Sequence, residues 1–204
     1  MTPLTQISGP AVPLMEANVN TDVIIRIERL SDFGRDELEP YAFEAWRFDE
    51  SGAEIADFPL NQPHWKSAPI LLAGPNFGCG SSREGAVWAL NCLGIRVVIA
   101  PSFGGIFRNN CYQNGTLPIV LPTETVENFA KIAKTQPDAP FRVDLEAQVV
   151  IPPNGTPVPF EIDGLRKSGL SKGLDDLGLT AQQLPGIAAW QETDRALRPW
   201  IWLD

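Results

Sequence analysis

Positive charge, histidine and cysteine are all scarce in this sequence. Lys and Arg number 16 against 25 Asp and Glu, a formal net charge of −9 over 204 residues. No nucleic acid and no membrane surface is therefore expected as a partner, and any bound anion is expected in one local pocket. The single histidine, His64, sits in Asn61-Gln62-Pro63-His64-Trp65, a loop by composition with no orienting carboxylate close by in sequence, so a histidine-based triad has nothing to build on. Cys79, Cys92 and Cys111 form an odd set without CxxC spacing. They suggest neither a disulfide framework nor a metal knuckle, and no metal is expected in this chain. No apolar run is long enough to span a bilayer, and Met1-Thr2-Pro3-Leu4-Thr5-Gln6 lacks the basic start and apolar stretch of a secretory signal. The expected location is the cytoplasm.

What the sequence does have is a core. It is 44% hydrophobic and 20% charged, ordinary for a globular α/β chain. Ile70-Leu71-Leu72-Ala73, Val97-Val98-Ile99-Ala100 and Ile119-Val120-Leu121 are short apolar runs separated by helix-compatible segments. Continuous rather than alternating apolarity marks strands buried on both faces, so residues 69–121 read as a parallel βαβαβ unit. In its first helix Ala86, Leu90 and Leu93 share a face, Trp88 reads as core, and Gly94 supplies a stop.

The first strand feeds Gly78-Cys79-Gly80-Ser81-Ser82-Arg83-Glu84. Glycines that let backbone approach a ligand, two hydroxyls and a guanidinium together read as a site for a carboxylate or phosphate. Ser81-x-x-Glu84 equally matches a helix capping box. Arginine stands where a dinucleotide fingerprint needs its third glycine, and no GK[ST] follows a glycine loop, so both phosphate-loop motifs fail. Cys79 leaves a thiol hydrolase open, though without an obvious base. Pro101-Ser102-Phe103-Gly104-Gly105, after the next strand, falls on the same sheet edge, as a pocket floor or simply as a helix start.

Beyond the unit, Glu124 to Lys134 is spaced as a helix, and Val143 to Ile151 and Val158 to Ile162 read as strands around the turn Pro152-Pro153-Asn154-Gly155. Thr180 to Ala196 reads as helical, started or divided by Pro185. The apolar tail Pro199-Trp200-Ile201-Trp202-Leu203-Asp204 is expected to dock.

Asn76 to Glu84, Val97 to Phe103 and Leu117-Pro118, with Asn18-Val19-Asn20-Thr21-Asp22, Trp46-Arg47-Phe48, Val143 to Glu146 and Gly173 to Thr180, resemble the small subunits of 3-isopropylmalate dehydratase, in the aconitase superfamily. The resemblance covers nearly the whole chain. It implies that residues 1–204 form a single three-layer β/β/α swivelling domain like the aconitase C-terminal domain, with a β-rich addition around 143–163 and a helical end. It also implies a two-chain hydro-lyase of leucine biosynthesis that interconverts 2- and 3-isopropylmalate through isopropylmaleate. The partner is then a large subunit carrying a [4Fe-4S] cluster, which supplies the Lewis acid that hydroxide departure needs. By the same resemblance Ser81 exchanges the substrate Cα proton, Ser82 and Arg83 hold a carboxylate, and Asp22 reaches the active site.

The chain departs from the family pattern at Gly85, where His is usual, at Val87, at Asn20, and over Val23 to Leu30. Arg26 or Arg29 is the candidate for a distal carboxylate, or a solvated charge. Related hydroxy-diacids, of methylmalate or homoaconitate type, and a stand-alone anion-binding module remain alternatives.

Overall fold

In the computed structural model, which describes residues 1–81 and 83–202, the chain starts with two strands that enter different sheets, β1 (Gln6–Gly9) and β2 (Ala11–Leu14), divided by Pro10. Three short helices follow, α1 (Thr21–Ile24), α2 (Ile27–Asp32) and α3 (Glu44–Arg47). Then comes the βαβαβ unit read from the apolar runs: β3 (Ile70–Ala73), α4 (Gly85–Cys92), β4 (Val97–Ala100), α5 (Gly105–Gln113) and β5 (Leu117–Val120). The remainder is α6 (Thr123–Thr135), β6 (Phe141–Asp144), β7 (Val149–Ile151), β8 (Val158–Pro159), α7 (Gly164–Lys172), α8 (Asp176–Ala181) and α9 (Leu184–Leu197).

Strands β2, β3, β4 and β5 lie side by side in that order, all parallel. Strand periodicity sends alternate side chains to opposite faces, and each face has its own core. Val12, Leu14, Leu71, Ala73, Val98 and Ala100 pack with Ala86, Val87, Ala89 and Leu90 of α4. Ala11, Ile70, Leu72, Val97, Ile99 and Ile119 pack instead with Val126 and Phe129 of α6 and with Phe141, Val143 and Val150 of the second sheet. That second sheet is antiparallel, in the order β1-β6-β7-β8. The result is a β/β/α layering with the parallel sheet in the middle, each fully buried Leu, Ile or Val contributing roughly 1.5–3 kcal/mol.

The stretch from Val143 to Ile151, expected as one strand, is a hairpin. Asp144 accepts the Ala147 N–H at 2.9 Å and Gln148 takes φ +54, which turns the chain between β6 and β7. Pro185 starts α9, where a missing N–H costs nothing. The tail docks on α9 itself: Trp202 donates to Asp194 Oδ2 at 2.9 Å, while Trp200 stays 71% exposed. Leu203 and Asp204 lie outside the described residues. Among the described residues no helix is long and apolar enough to cross a membrane.

Candidate active site

Three loops meet at the carboxyl edge of the parallel sheet, where open α/β sheets bind ligands. They follow β2, β3 and β4. Asn20 forms a parallel bridge with Cys79, and Phe77 one with Phe103. Gly78 N–H donates to the Val19 carbonyl at 2.7 Å, Thr21 N–H to the Cys79 carbonyl at 3.0 Å, and Gly104 N–H to the Phe77 carbonyl at 2.9 Å. The loop after β4 thus underlies the glycine loop. The fit is close enough to require glycine: a Cβ on Gly78, at φ +70, would stand 2.2 Å from the Phe107 ring, and one on Gly104 would stand 2.3 Å from the Gly78 carbonyl oxygen.

Helix α4 begins only at Gly85, with Glu84 at the N-cap position in helical backbone and no side-chain cap. The capping box between Ser81 and Glu84 does not form, and the segment expected to open the helix is a turn that precedes it. Gly78 and Gly80, at φ +70 and +89, hold the approach out of helical geometry. The Thr21 hydroxyl takes the Ser81 carbonyl at 2.6 Å, and the Glu84 carboxylate accepts the Asn114 amide at 2.8 Å. The attraction for an anion therefore rests on Arg83 more than on the helix start.

Asp22 and Arg83 are brought together. Asn20 caps α1, accepting the N–H groups of Asp22 and Val23, and presents Asp22 so that its Oδ1 lies 2.7 Å from Arg83 NH2. The Arg83 side chain is partly buried, and its buried Nε and NH1 have no hydrogen-bond partner among the described residues. Ser81 is exposed at the start of the same turn, next to Ser82, which lies outside the described residues. Arg26 lines a hollow of about 300 Å³ with Asp22, Val23 and Glu44. It is half-exposed and 3.6 Å from Glu44. Arg29 is committed elsewhere, 2.9 Å from Glu44 Oε2 and stacked 4.6 Å over the Tyr41 ring. Two members of the site were not read from the sequence. Thr21 is buried and carries the Ser81 carbonyl, and Glu44 sits between both arginines. Thr21 stands beside Asp22 in the motif, whereas nothing in the sequence ties Glu44 to residues 15 and 18 positions earlier.

The thiols stand apart. Cys79 points to the Asn18 carbonyl at 3.4 Å, Cys92 to the Arg35 carbonyl at 3.2 Å, and burial pushes the Cys111 thiol well above its usual pKa. No group of three or more His, Cys, Asp or Glu among the described residues is placed to hold a metal ion. His64 does meet a carboxylate, contrary to the sequence expectation: its Nδ1 is 2.8 Å from Asp138, 74 residues further on, a pairing that sequence proximity does not reveal. Both side chains are exposed.

Residues 1–124 match the family model of the aconitase C-terminal domain, and residues 129–164 the model LeuD_N. The 3-isopropylmalate dehydratase small subunit of Rhodospirillum centenum is 48% identical over 98% of both chains, and that of Paramagnetospirillum magneticum 47% identical over 98% of this chain and all of its own. The chain belongs to the family of 3-isopropylmalate dehydratase small subunits. A crystal structure of 3-isopropylmalate dehydratase from Methanocaldococcus jannaschii matches with a TM-score of 0.66 and 28% identity, covering 90% of this chain and 99% of that one. The space beside Gly85 is taken by Leu30: a Cβ at Gly85 would lie 2.4 Å from a Leu30 methyl.

Proposed function

We propose that this chain is the small subunit of a hydro-lyase that interconverts 2- and 3-isopropylmalate by dehydration and rehydration through isopropylmaleate. The observation that carries this reading is the Arg83 guanidinium, tied to Asp22 by one nitrogen, with Nε and NH1 buried and without a hydrogen-bond partner among the described residues, directly after the Ser81–Ser82 pair in sequence. A guanidinium that stays charged and carries more N–H donors than Asp22 can take suits a carboxylate.

Each residue then has a task. Arg83, with Ser82, holds the carboxylate next to the carbon that loses its proton. The negative charge that builds on this carboxylate in the transition state is met by a guanidinium already in position. Ser81 takes the Cα proton, hydroxide leaves the neighbouring carbon, and the C–C bond becomes an alkene. Returning the proton and hydroxide with the two carbons exchanged gives the isomer. Asp22 keeps Arg83 oriented at the edge of the site, and Arg26, beside Asp22, faces the remaining part of the diacid.

The donors of this chain do not fit an iron–sulfur cluster, since its cysteines lie in three separate places, one of them fully buried. In this reading the cluster belongs to a large subunit, and closure of the two chains removes water from around Ser81, a weak base in bulk solvent. Anaerobic co-purification with the candidate large subunit, followed by an assay of alkene formation from 3-isopropylmalate, tests it. Turnover by the mixture alone is the expected result. Association without isopropylmalate turnover would move the assignment to another hydroxy-diacid, and no association would favour an anion-binding module.

A further inference from the structure

We propose that Asn114 is a positioning residue for the catalytic turn, anchoring Glu84 and with it the backbone that carries Ser81 and Arg83. The proposal rests on the functional reading above. Asn114 is the C-cap residue that follows α5, buried to 6% exposure, and all of its amide hydrogen-bonding capacity is used. Its Oδ1 accepts from Arg35 NH2 at 2.8 Å and from Trp88 Nε1 at 3.0 Å. Its Nδ2 donates to Glu84 Oε1 at 2.8 Å and to the Asn110 carbonyl at 2.9 Å. Two donors face the oxygen and two acceptors face the nitrogen, so only one orientation of the amide satisfies the site. Asn91 donates to the Asn114 carbonyl at 3.1 Å and is itself oriented by the Thr116 hydroxyl at 2.8 Å.

A polar network complete within the protein serves to hold something in place. What it holds is the far end of the turn. The near end is tied at the Ser81 carbonyl by Thr21, and the helix that follows has no side-chain cap, so the bond from Asn114 is the side-chain tie at Glu84. A bond to a carboxylate is stronger than one between neutral groups. The other arm of the network reaches Arg35, whose guanidinium also lies 5.2 Å over the Trp88 ring. The segment after α2 is thereby joined to the turn that bears the chemistry.

Asparagine is specifically required. Aspartate keeps the shape and both acceptor bonds but sets a carboxylate against Glu84, while leucine leaves Arg35, Trp88 and Glu84 all unpaired. The test pairs Asn114→Asp with the double variant Asn114→Asp/Glu84→Gln, in which the hydrogen bond re-forms in the opposite sense. Amide hydrogen exchange of residues 81–84 is measured in the full chain alone, and kcat and KM for 3-isopropylmalate with the large subunit, at a temperature where every variant is fully folded by circular dichroism. Asn114→Asp is expected to speed exchange at 81–84 and to lower kcat/KM roughly tenfold or more. The double variant should recover part of both, since the Asn110 carbonyl still faces a carboxylate. Unchanged exchange and kcat/KM would overturn the proposal, as would faster exchange spread evenly over the whole chain rather than centred on residues 81–84. Faster exchange in Asn114→Asp while the wild-type pair shows no isopropylmalate turnover would uphold the positioning role and overturn the functional reading.

Discussion

Asp22 holds Arg83 by one nitrogen: Oδ1 is 2.7 Å from NH2, while Nε and NH1 are buried without a hydrogen-bond partner among the described residues. Each buried unpaired donor costs about 1–3 kcal/mol. Lysine keeps the charge but cannot supply two parallel N–H groups. Arg83→Lys should raise KM for the diacid on the order of tenfold to a hundredfold, as expected for losing a charge-assisted pair worth about 1.5–3 kcal/mol. Steady-state kinetics on the assembled enzyme checks this, and an unchanged KM would remove Arg83 from the carboxylate site.

Arg26 and Arg29 differ in what already holds them. Arg29 is bound to Glu44 and stacked on Tyr41, whereas Arg26 is half-exposed at the hollow it shares with Asp22. Arg29→Ala should lower stability by roughly 1 kcal/mol through the lost stacking and ion pair. Arg26→Ala should leave stability within about 0.5 kcal/mol, as surface changes do, and raise KM severalfold. Urea denaturation together with kinetics separates the two.

Gly85 has no room for a side chain because Leu30 occupies the space. Gly85→Ala should destabilise by about 1–3 kcal/mol, the usual range for overpacking. Combining it with Leu30→Ala should give a loss smaller than the sum of the two single losses, since the smaller side chain relieves the clash. Strict additivity in denaturation experiments would show that the two positions are not coupled.

Asp144 ties the ends of β6 and β1. The backbone N–H of Ala147 is the main cause holding its carboxyl below the usual value of 3.8, opposed by burial and assisted by Arg142 and Gln6. A carboxylate with a depressed folded-state pKa contributes stability above its unfolded pKa and loses it as pH falls through the folded value. Asp144→Asn should therefore be less stable than wild type at pH 6, with the gap closing as the pH drops below about 4. Urea midpoints at several pH values read this, and a gap that widens on acidification would contradict it.

The parallel unit was legible because strands buried on both faces need continuous apolar runs, and its helices were marked by spacing and by Gly94, which adopts φ +83 after α4. Strand β2 was not read: four residues with Pro13 inside them look unlike a strand, and only pairing with β3 makes them one. The start of α4 was misplaced because Ser81-x-x-Glu84 satisfies the capping-box pattern locally, while in the fold Asn114, 30 residues away, takes the Glu84 carboxylate and Thr21, 60 residues away, donates to the Ser81 carbonyl. Asp22, Ser81 and Arg83 were named from motif and resemblance; the ion pair that joins two of them is a tertiary fact. Glu44 left no trace in the sequence for the same reason.

The most direct test of the account is alkene formation from 3-isopropylmalate by wild-type and Ser81→Ala chains, each assembled anaerobically with the same large subunit. The account predicts equal association, rapid turnover by the wild-type pair, and a loss of at least about a hundredfold in kcat for the variant, the lower range for a positioned proton-transfer group. Near-normal turnover by Ser81→Ala would contradict the role given to the turn.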